Sequence, residues 1–174
     1  NARTLGNIGG VTLDTTHKKW GAGSAAFNGS SYLYVASTDW DLYSADFGAS
    51  LQWLPDLDPA TRYYGLMAYG NYSNGWGLFY DQTNDIIAFN ILGSWAFSTP
   101  PRLSTYGIDL SDGAWHHIEV NRWADDWGIW VDGRQCGYKT SGDSLLAVSS
   151  EQHFYVGLAY VDSAWRYGRG NLDE

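Results

Sequence analysis

Trp115-His-His-Ile-Glu-Val-Asn-Arg122, followed by Gly128-Ile-Trp-Val-Asp-Gly133, decides the fold class of this chain. From Ile118 onward every second residue is apolar, with Glu119 and Asn121 between, and that period places one set of side chains on each face of a half-buried strand. Asp125-Asp126 separates the two runs and reads as a hairpin loop. Asp112-Gly113 precedes them and Asp132-Gly133 closes them, both pairs that tolerate the positive φ of tight hairpin turns. The segment is an antiparallel meander, continued by a third strand at 134–139.

Working outward, the same rhythm covers the chain. Strands are expected near 11–14, 24–28, 31–36, 47–54, 63–69, 75–81, 85–92, 115–122, 127–132, 134–139 and 153–160. The one helical signal is a turn at Pro59-Ala-Thr-Arg62, opened by Asp58 as an N-cap. About a dozen short strands at this spacing mean a sandwich or barrel. A two-sheet antiparallel jelly roll is the simplest all-β architecture at 174 residues. Composition agrees: aromatics equal charged residues at 17%, Gly numbers 21, and only three of the 19 acids are Glu. Few Glu and Lys, many aromatics and many Asp and Gly exclude a coiled coil, a helical bundle or a disordered tail.

A formal net charge of −9 argues against nucleic acid, which needs a basic face, and against anionic lipid surfaces. No apolar run reaches the roughly 20 residues of a membrane-spanning helix. Cys136 is alone, so no intrachain disulfide is expected.

Four segments in order resemble laminin-G-like modules of the concanavalin A-like lectin/glucanase superfamily. They are KWGAGSAAFNGSSYLYV at 19–35, WHHIEVNR at 115–122, GIWVDG at 128–133, and FYVGLAY at 154–160 with GNLDE at 170–174. The first is similar to modules of bacteriophage tail and adhesin proteins. The resemblance implies one laminin-G-like domain over 1–174, with a concanavalin A-like jelly roll. It also implies an apolar strand before the first segment and a closing strand after Asp173-Glu174. The expectation is therefore a sandwich lacking its first and last strands, with an open sheet edge or a partner strand in their place.

Superfamily members that hydrolyse β-glucans are similar in a Glu-x-Asp-x-Glu strand. Retaining hydrolysis needs two carboxylates roughly 5–5.5 Å apart. Glu119 has Asn121, not an acid, at its next same-face position. Asp39/Asp41, Asp56/Asp58 and Asp81/Asp85 fall in turns. His116 and His117 are adjacent in a strand and face opposite ways. No catalytic residue is assigned.

Sugar recognition needs rings for the C–H face and fixed polar groups for hydroxyls. Tyr63–Trp76 holds five aromatics interleaved with Asn and Ser, and Gly and Asn flank the rings most open to solvent. Tyr72, Asn74, Trp76 and Trp95 are the ligand-binding candidates. Trp165, Arg166, Tyr167 and Arg169 form a second cluster in a late loop, and Trp123 and Trp127 bracket the 125–126 loop. The resemblance further implies a structural calcium ion joining Asp173 to the Asn28-Gly29 turn.

The function expected is non-catalytic binding of a carbohydrate or surface polymer, as part of a larger extracellular or virion protein. Its partners are a glycan or surface polysaccharide, and flanking domains or neighbouring chains. The alternatives are a structural or assembly module without sugar binding, and a polysaccharide hydrolase or lyase.

Overall fold

The computed structural model describes residues 4–37, 46–71, 75–92, 102–140 and 152–173. Sixteen strands run through them. They are β1 (Gly6–Ile8), β2 (Thr12–Asp14), β3 (Ser24–Asn28), β4 (Tyr32–Ser37), β5 (Phe47–Pro55), β6 (Tyr63–Gly70), β7 (Gly75–Asp81) and β8 (Ile86–Leu92). Then come β9 (Arg102–Ser104), β10 (His116–Trp123), β11 (Asp126–Val131), β12 (Arg134–Thr140), β13 (Gln152–Val156), β14 (Leu158–Val161), β15 (Ala164–Tyr167) and β16 (Arg169–Asp173). They form two seven-stranded sheets, ordered β1-β4-β13-β6-β7-β8-β9 and β12-β11-β10-β5-β16-β3-β2, plus the hairpin β14–β15. Every pairing is antiparallel.

The meander at 116–140 forms as its alternation requires. Ile118 pairs with Val131 and Val120 with Ile129, and all four side chains are buried. His116 is buried beside them and fastens two turns together. Its Nδ1 lies 2.9 Å from Asp132 Oδ2 and its Nε2 lies 3.0 Å from Asp112 Oδ1. His117 faces the other way, as a strand demands. The centre of the sandwich is aromatic. Trp53 on β5 is fully buried against Tyr64 and Tyr80 of the facing sheet, and its indole N–H donates to the Arg169 carbonyl at 3.0 Å.

β6 and β7 are buried along their whole length because both faces are covered. A bulge between Gly65 and Met67 shifts the alternation, so Leu66 and Met67 both join the main core. Tyr63, Ala68 and Phe79 turn outward and meet Ala159 and Val161 of the β14–β15 hairpin in a second core. Gly65 makes that approach possible: a Cβ there would stand 2.2 Å from both Ala159 N and Arg166 O. The strand expected at 153–160 is accordingly broken at Gly157, where φ is +76° and the chain leaves β13 for the hairpin.

Two expectations are corrected. The Pro59–Arg62 segment is a turn and not a helix, although Asp58 caps it: Ala60 N–H donates to Asp58 Oδ1 at 2.9 Å. The first strand is not missing either, since β1 and β2 close one edge of each sheet. Gly9 and Gly10, both at positive φ, turn the chain from one sheet to the other, and Asn7 binds both backbone groups of Val11 through its amide. β1 lacks apolar alternation and carries no strand signal, whereas β2 falls in the strand expected at 11–14. At the other end β16 runs to Asp173, and Phe47–Leu51 of β5 pairs with β10 alone among the described residues.

Candidate functional site

The β14–β15 hairpin carries one wall of a polar pocket of about 830 Å³. Asp162 and Ser163 occupy its two-residue turn at φ +49° and +61°, the double positive φ of a type I′ hairpin. That turn sets the register in which Trp165 faces Tyr160 and Arg166 faces Ala159. The Trp165 ring is braced by Tyr155 and Tyr160, each with centroids 5.3 Å away. The other walls are the 58–64 turn and the Asn28-Gly29 turn, which bring Asp58, Arg62, Tyr63 and Asn28 to the same space as Tyr167 and Arg169.

Tyr63 forms the floor, between two guanidinium groups. Arg62 stands 4.6 Å and Arg166 5.5 Å from its ring centroid, within cation–π range. Burial, together with a hydrogen bond to the Asp162 carboxylate, pushes the Tyr63 phenol up to about 12. Arg62 also grips Asp81, and Arg169 bonds Asp56 Oδ2 at 2.7 Å and Asp58 Oδ2 at 3.2 Å. A guanidinium has five N–H donors, so these ion pairs leave others to face the pocket. Arg166 Nε is buried with no hydrogen-bond partner among the described residues. Three of the ten basic residues of an acidic chain thus converge with four aromatic residues, Tyr63, Tyr64, Trp165 and Tyr167. Such a surface can stack a pyranose face and bond hydroxyl or carboxylate groups at its rim.

The candidates from the sequence fare unevenly. Tyr72, Asn74 and Trp95 lie outside the described residues. Trp76 is corrected: it is 2% exposed, with its ring against Phe89 and Phe154 at 5.7 and 5.9 Å, so it fills the core. Its position on the inner face of β7 outweighs the flanking glycines. Of the 125–126 pair, Trp127 is buried and Trp123 is 76% exposed. The late cluster at 165–169 does come together, and the 58–64 turn completes it. The signal missed was Arg62-Tyr63, whose neighbours are remote in sequence.

The residues named for calcium do not fit one ion. Asn28 pairs with Arg169, whereas Asp173 ends the same strand opposite Gln52 of β5, four residues further on. Strand rise puts them roughly 13 Å apart. Asp173 Oδ2 accepts the N–H groups of Lys19 and Trp20, and Asn28 Oδ1 accepts from Ser30. No group of three or more His, Cys, Asp or Glu suited to a metal occurs among the described residues. Of the acids weighed for hydrolysis, Asp81 is held by Arg62 and Asn84, and Glu119 accepts from Asn121 at 3.1 Å.

Comparison with protein-family models finds no match. Comparison with curated proteins finds none either. Solved structures do match in shape. Domains LG4-5 of the mouse laminin alpha1 chain superpose with a TM-score of 0.60 at 17% identity, over 86% of this chain and 39% of that one. The CBM40 of the Ruminococcus gnavus IT-sialidase, bound to alpha2,3 sialyllactose, gives 0.58 at 9% identity over 74% and 72%. An HCR/D mutant gives 0.64 at 14% identity over 98% and 42%. The chain spans about two-fifths of the laminin and HCR/D chains. These likenesses, with the two seven-stranded antiparallel sheets, establish the fold alone: an all-β sandwich of concanavalin A-like shape.

Proposed function

We propose that this chain is a non-catalytic glycan-binding module that acts outside the cell, in an extracellular or virion protein, with its sugar seated in the pocket between the 58–64 turn and the β14–β15 hairpin. The observation that carries this reading is the Tyr63 floor flanked by Arg62 and Arg166, beside the braced Trp165 ring. Rings supply the apolar platform that a sugar's C–H face needs, and the guanidinium and carboxylate groups supply directional bonds to its oxygens. The sialidase module of the same fold, whose structure holds sialyllactose, supports sugar recognition by this architecture.

The test is a glycan array carrying neutral and acidic oligosaccharides, followed by calorimetry on the best hits. Trp165→Ala and Arg166→Ala are expected to weaken binding at least tenfold while the melting midpoint stays near that of the parent. An array without hits, or hits that both variants bind as well as the parent, refutes the assignment.

A further inference from the structure

The sheet that carries the pocket holds a row of rings beyond it. On β4 and β13 the strand period separates two kinds of side chain. Leu33, Phe154 and Val156 pack against the main core. Tyr32, Tyr34, His153 and Tyr155 point the other way, and each is a half-buried ring. From Trp165 at the pocket wall the ring centroids step 5.3 Å to Tyr155, 5.8 Å on to Tyr32 and 6.2 Å on to Tyr34, with His153 5.0 Å from Tyr34. Tyr167, which also lines the pocket, meets the row 6.2 Å from Tyr32. The far end is laid flat. β1 places Gly6 opposite Tyr34, and a Cβ on Gly6 would stand 2.1 Å from Tyr34 Cε1, so the ring lies across the bare backbone of the edge strand. A tyrosine laid down in this way covers backbone with one face and turns the other to solvent.

We propose, on the sugar-binding reading of the pocket, that this row extends the site, so that the ligand is a linear neutral oligosaccharide with one unit in the pocket and further units on Tyr155, Tyr32 and Tyr34. Trp165 and Tyr167 belong both to the pocket and to the row, so a sugar seated in the pocket touches the start of the row. Each ring offers an apolar face to sugar C–H groups, and each tyrosine hydroxyl can donate to and accept from a sugar hydroxyl. The outward residues of β4 and β13 (Tyr32, Tyr34, Ala36, His153 and Tyr155) include no carboxylate, ammonium or guanidinium, so an acidic chain gains nothing along the row. In the pocket, Arg62 is already paired with Asp81, and Arg169 with Asp56 and Asp58.

Calorimetry with the di- and hexasaccharides of the malto, cello, laminari, xylo and manno series tests this. The proteins are the 174-residue chain, Tyr34→Leu and, independently, Tyr32→Leu, which keep apolar bulk and remove a ring, and Tyr34→Phe, which keeps the ring. In at least one series the hexasaccharide is expected to bind the parent at least tenfold more tightly than the disaccharide. Either leucine variant is expected to lose most of that gain with the disaccharide affinity unchanged, and Tyr34→Phe to keep most of it. Equal affinity for both lengths, or a gain untouched in both leucine variants, overturns the extended site and leaves the pocket reading standing. So does silence from all these sugars while array hits still depend on Trp165. An array without hits overturns both. A parent that is dimeric by size exclusion, and monomeric as Tyr34→Leu, overturns the extended site too, since a second copy then covers the rings.

Discussion

Arg62 holds Asp81 with two parallel hydrogen bonds, Nε to Oδ1 at 3.2 Å and Nη2 to Oδ2 at 3.1 Å, and the Asp81 side chain is 1% exposed. Burial alone raises this carboxyl. Arg62, the Asn84 amide and the Thr83 N–H outweigh burial and hold it below its ordinary 3.8. A group depressed in the folded state contributes stability that is fully present above its unfolded value and is lost as pH falls through its folded value. Asp14, held down by His17 and the backbone N–H groups of His17 and Thr16, and Asp112, held down by the Ala114 N–H and His116, act in the same direction. Chemical denaturation between pH 5 and pH 2 is expected to show stability falling steadily below about pH 4. Asp81→Asn is expected to flatten part of that slope.

Removing the other partner is the sharper experiment. Arg62→Ala leaves a buried carboxylate without its cation. Breaking a fully buried pair costs about 3–5 kcal/mol, and the half-exposed Arg62 reduces this to roughly 2 kcal/mol. Urea denaturation at pH 7 measures it. A loss under 0.5 kcal/mol contradicts the structural role given to the pair. The same variant also removes one guanidinium from the Tyr63 ring, so glycan affinity is expected to fall with stability.

The fold was legible wherever a strand has one wet face and one dry face. That holds for 116–123, whose burial alternates residue by residue. The strands expected at 63–69 and 75–81 also form, as β6 and β7, but their alternation does not show which rings are wet, because the hairpin covers the outer face and burial is continuous. There aromatics flanked by Gly and Asn looked like surface rings, and Trp76 was taken for one of them. The short edge strand β1 carries almost no apolar pattern, because at an edge backbone pairing can hold a strand that buries little. The pocket was half legible. Trp165–Arg169 is contiguous in sequence, but Arg62 and Tyr63 reach it only because the β14–β15 hairpin packs across the outer face of β6.

Gly65 is expected to be the least replaceable residue under the pocket. Its added Cβ meets backbone atoms of Ala159 and Arg166, which cannot rotate away. Gly65→Ala must lift the hairpin or bend β6, an overpacking cost of about 1–3 kcal/mol. Lifting the hairpin moves Trp165 and Arg166 relative to Tyr63, so glycan affinity is expected to drop more than tenfold even at temperatures where the protein stays folded. Gly77→Ala is the control. Its Cβ would sit 3.5 Å from the Ala159 methyl, an ordinary contact, and affinity and melting midpoint are expected to change little.

Tyr63 offers a spectroscopic check on the pocket floor. Its phenol is pushed up to about 12 by burial and by the Asp162 carboxylate. A raised folded value contributes stability that is complete below the ordinary 10 and is lost as pH rises through 12. Burial also raises Tyr64, Tyr80 and Tyr155, so ultraviolet titration at 295 nm is expected to show a group of late-ionising phenols that is smaller by one in Tyr63→Phe. That variant keeps the ring between Arg62 and Arg166 and loses only the hydroxyl, so it is expected to retain sugar stacking and to lose less stability above pH 10. A late-titrating population unchanged in Tyr63→Phe would mean that Tyr63 is neither buried nor bonded to Asp162 as the pocket floor requires.

Two tryptophans separate core filling from surface display. Trp76 lies between Phe89 and Phe154, and its removal opens a cavity that rigid neighbours cannot close. Trp76→Ala is expected to cost about 3–5 kcal/mol. Its glycan affinity, measured on the folded fraction, is expected to match the parent, because the ring lies in the main core and the pocket lies beyond the other face of β6. Trp123→Ala is expected to change stability by less than about 0.5 kcal/mol, as for an exposed side chain. If Trp76→Ala instead abolishes binding while the melting midpoint is unmoved, the ring is a ligand platform and the pocket has been placed on the wrong side of the sheet.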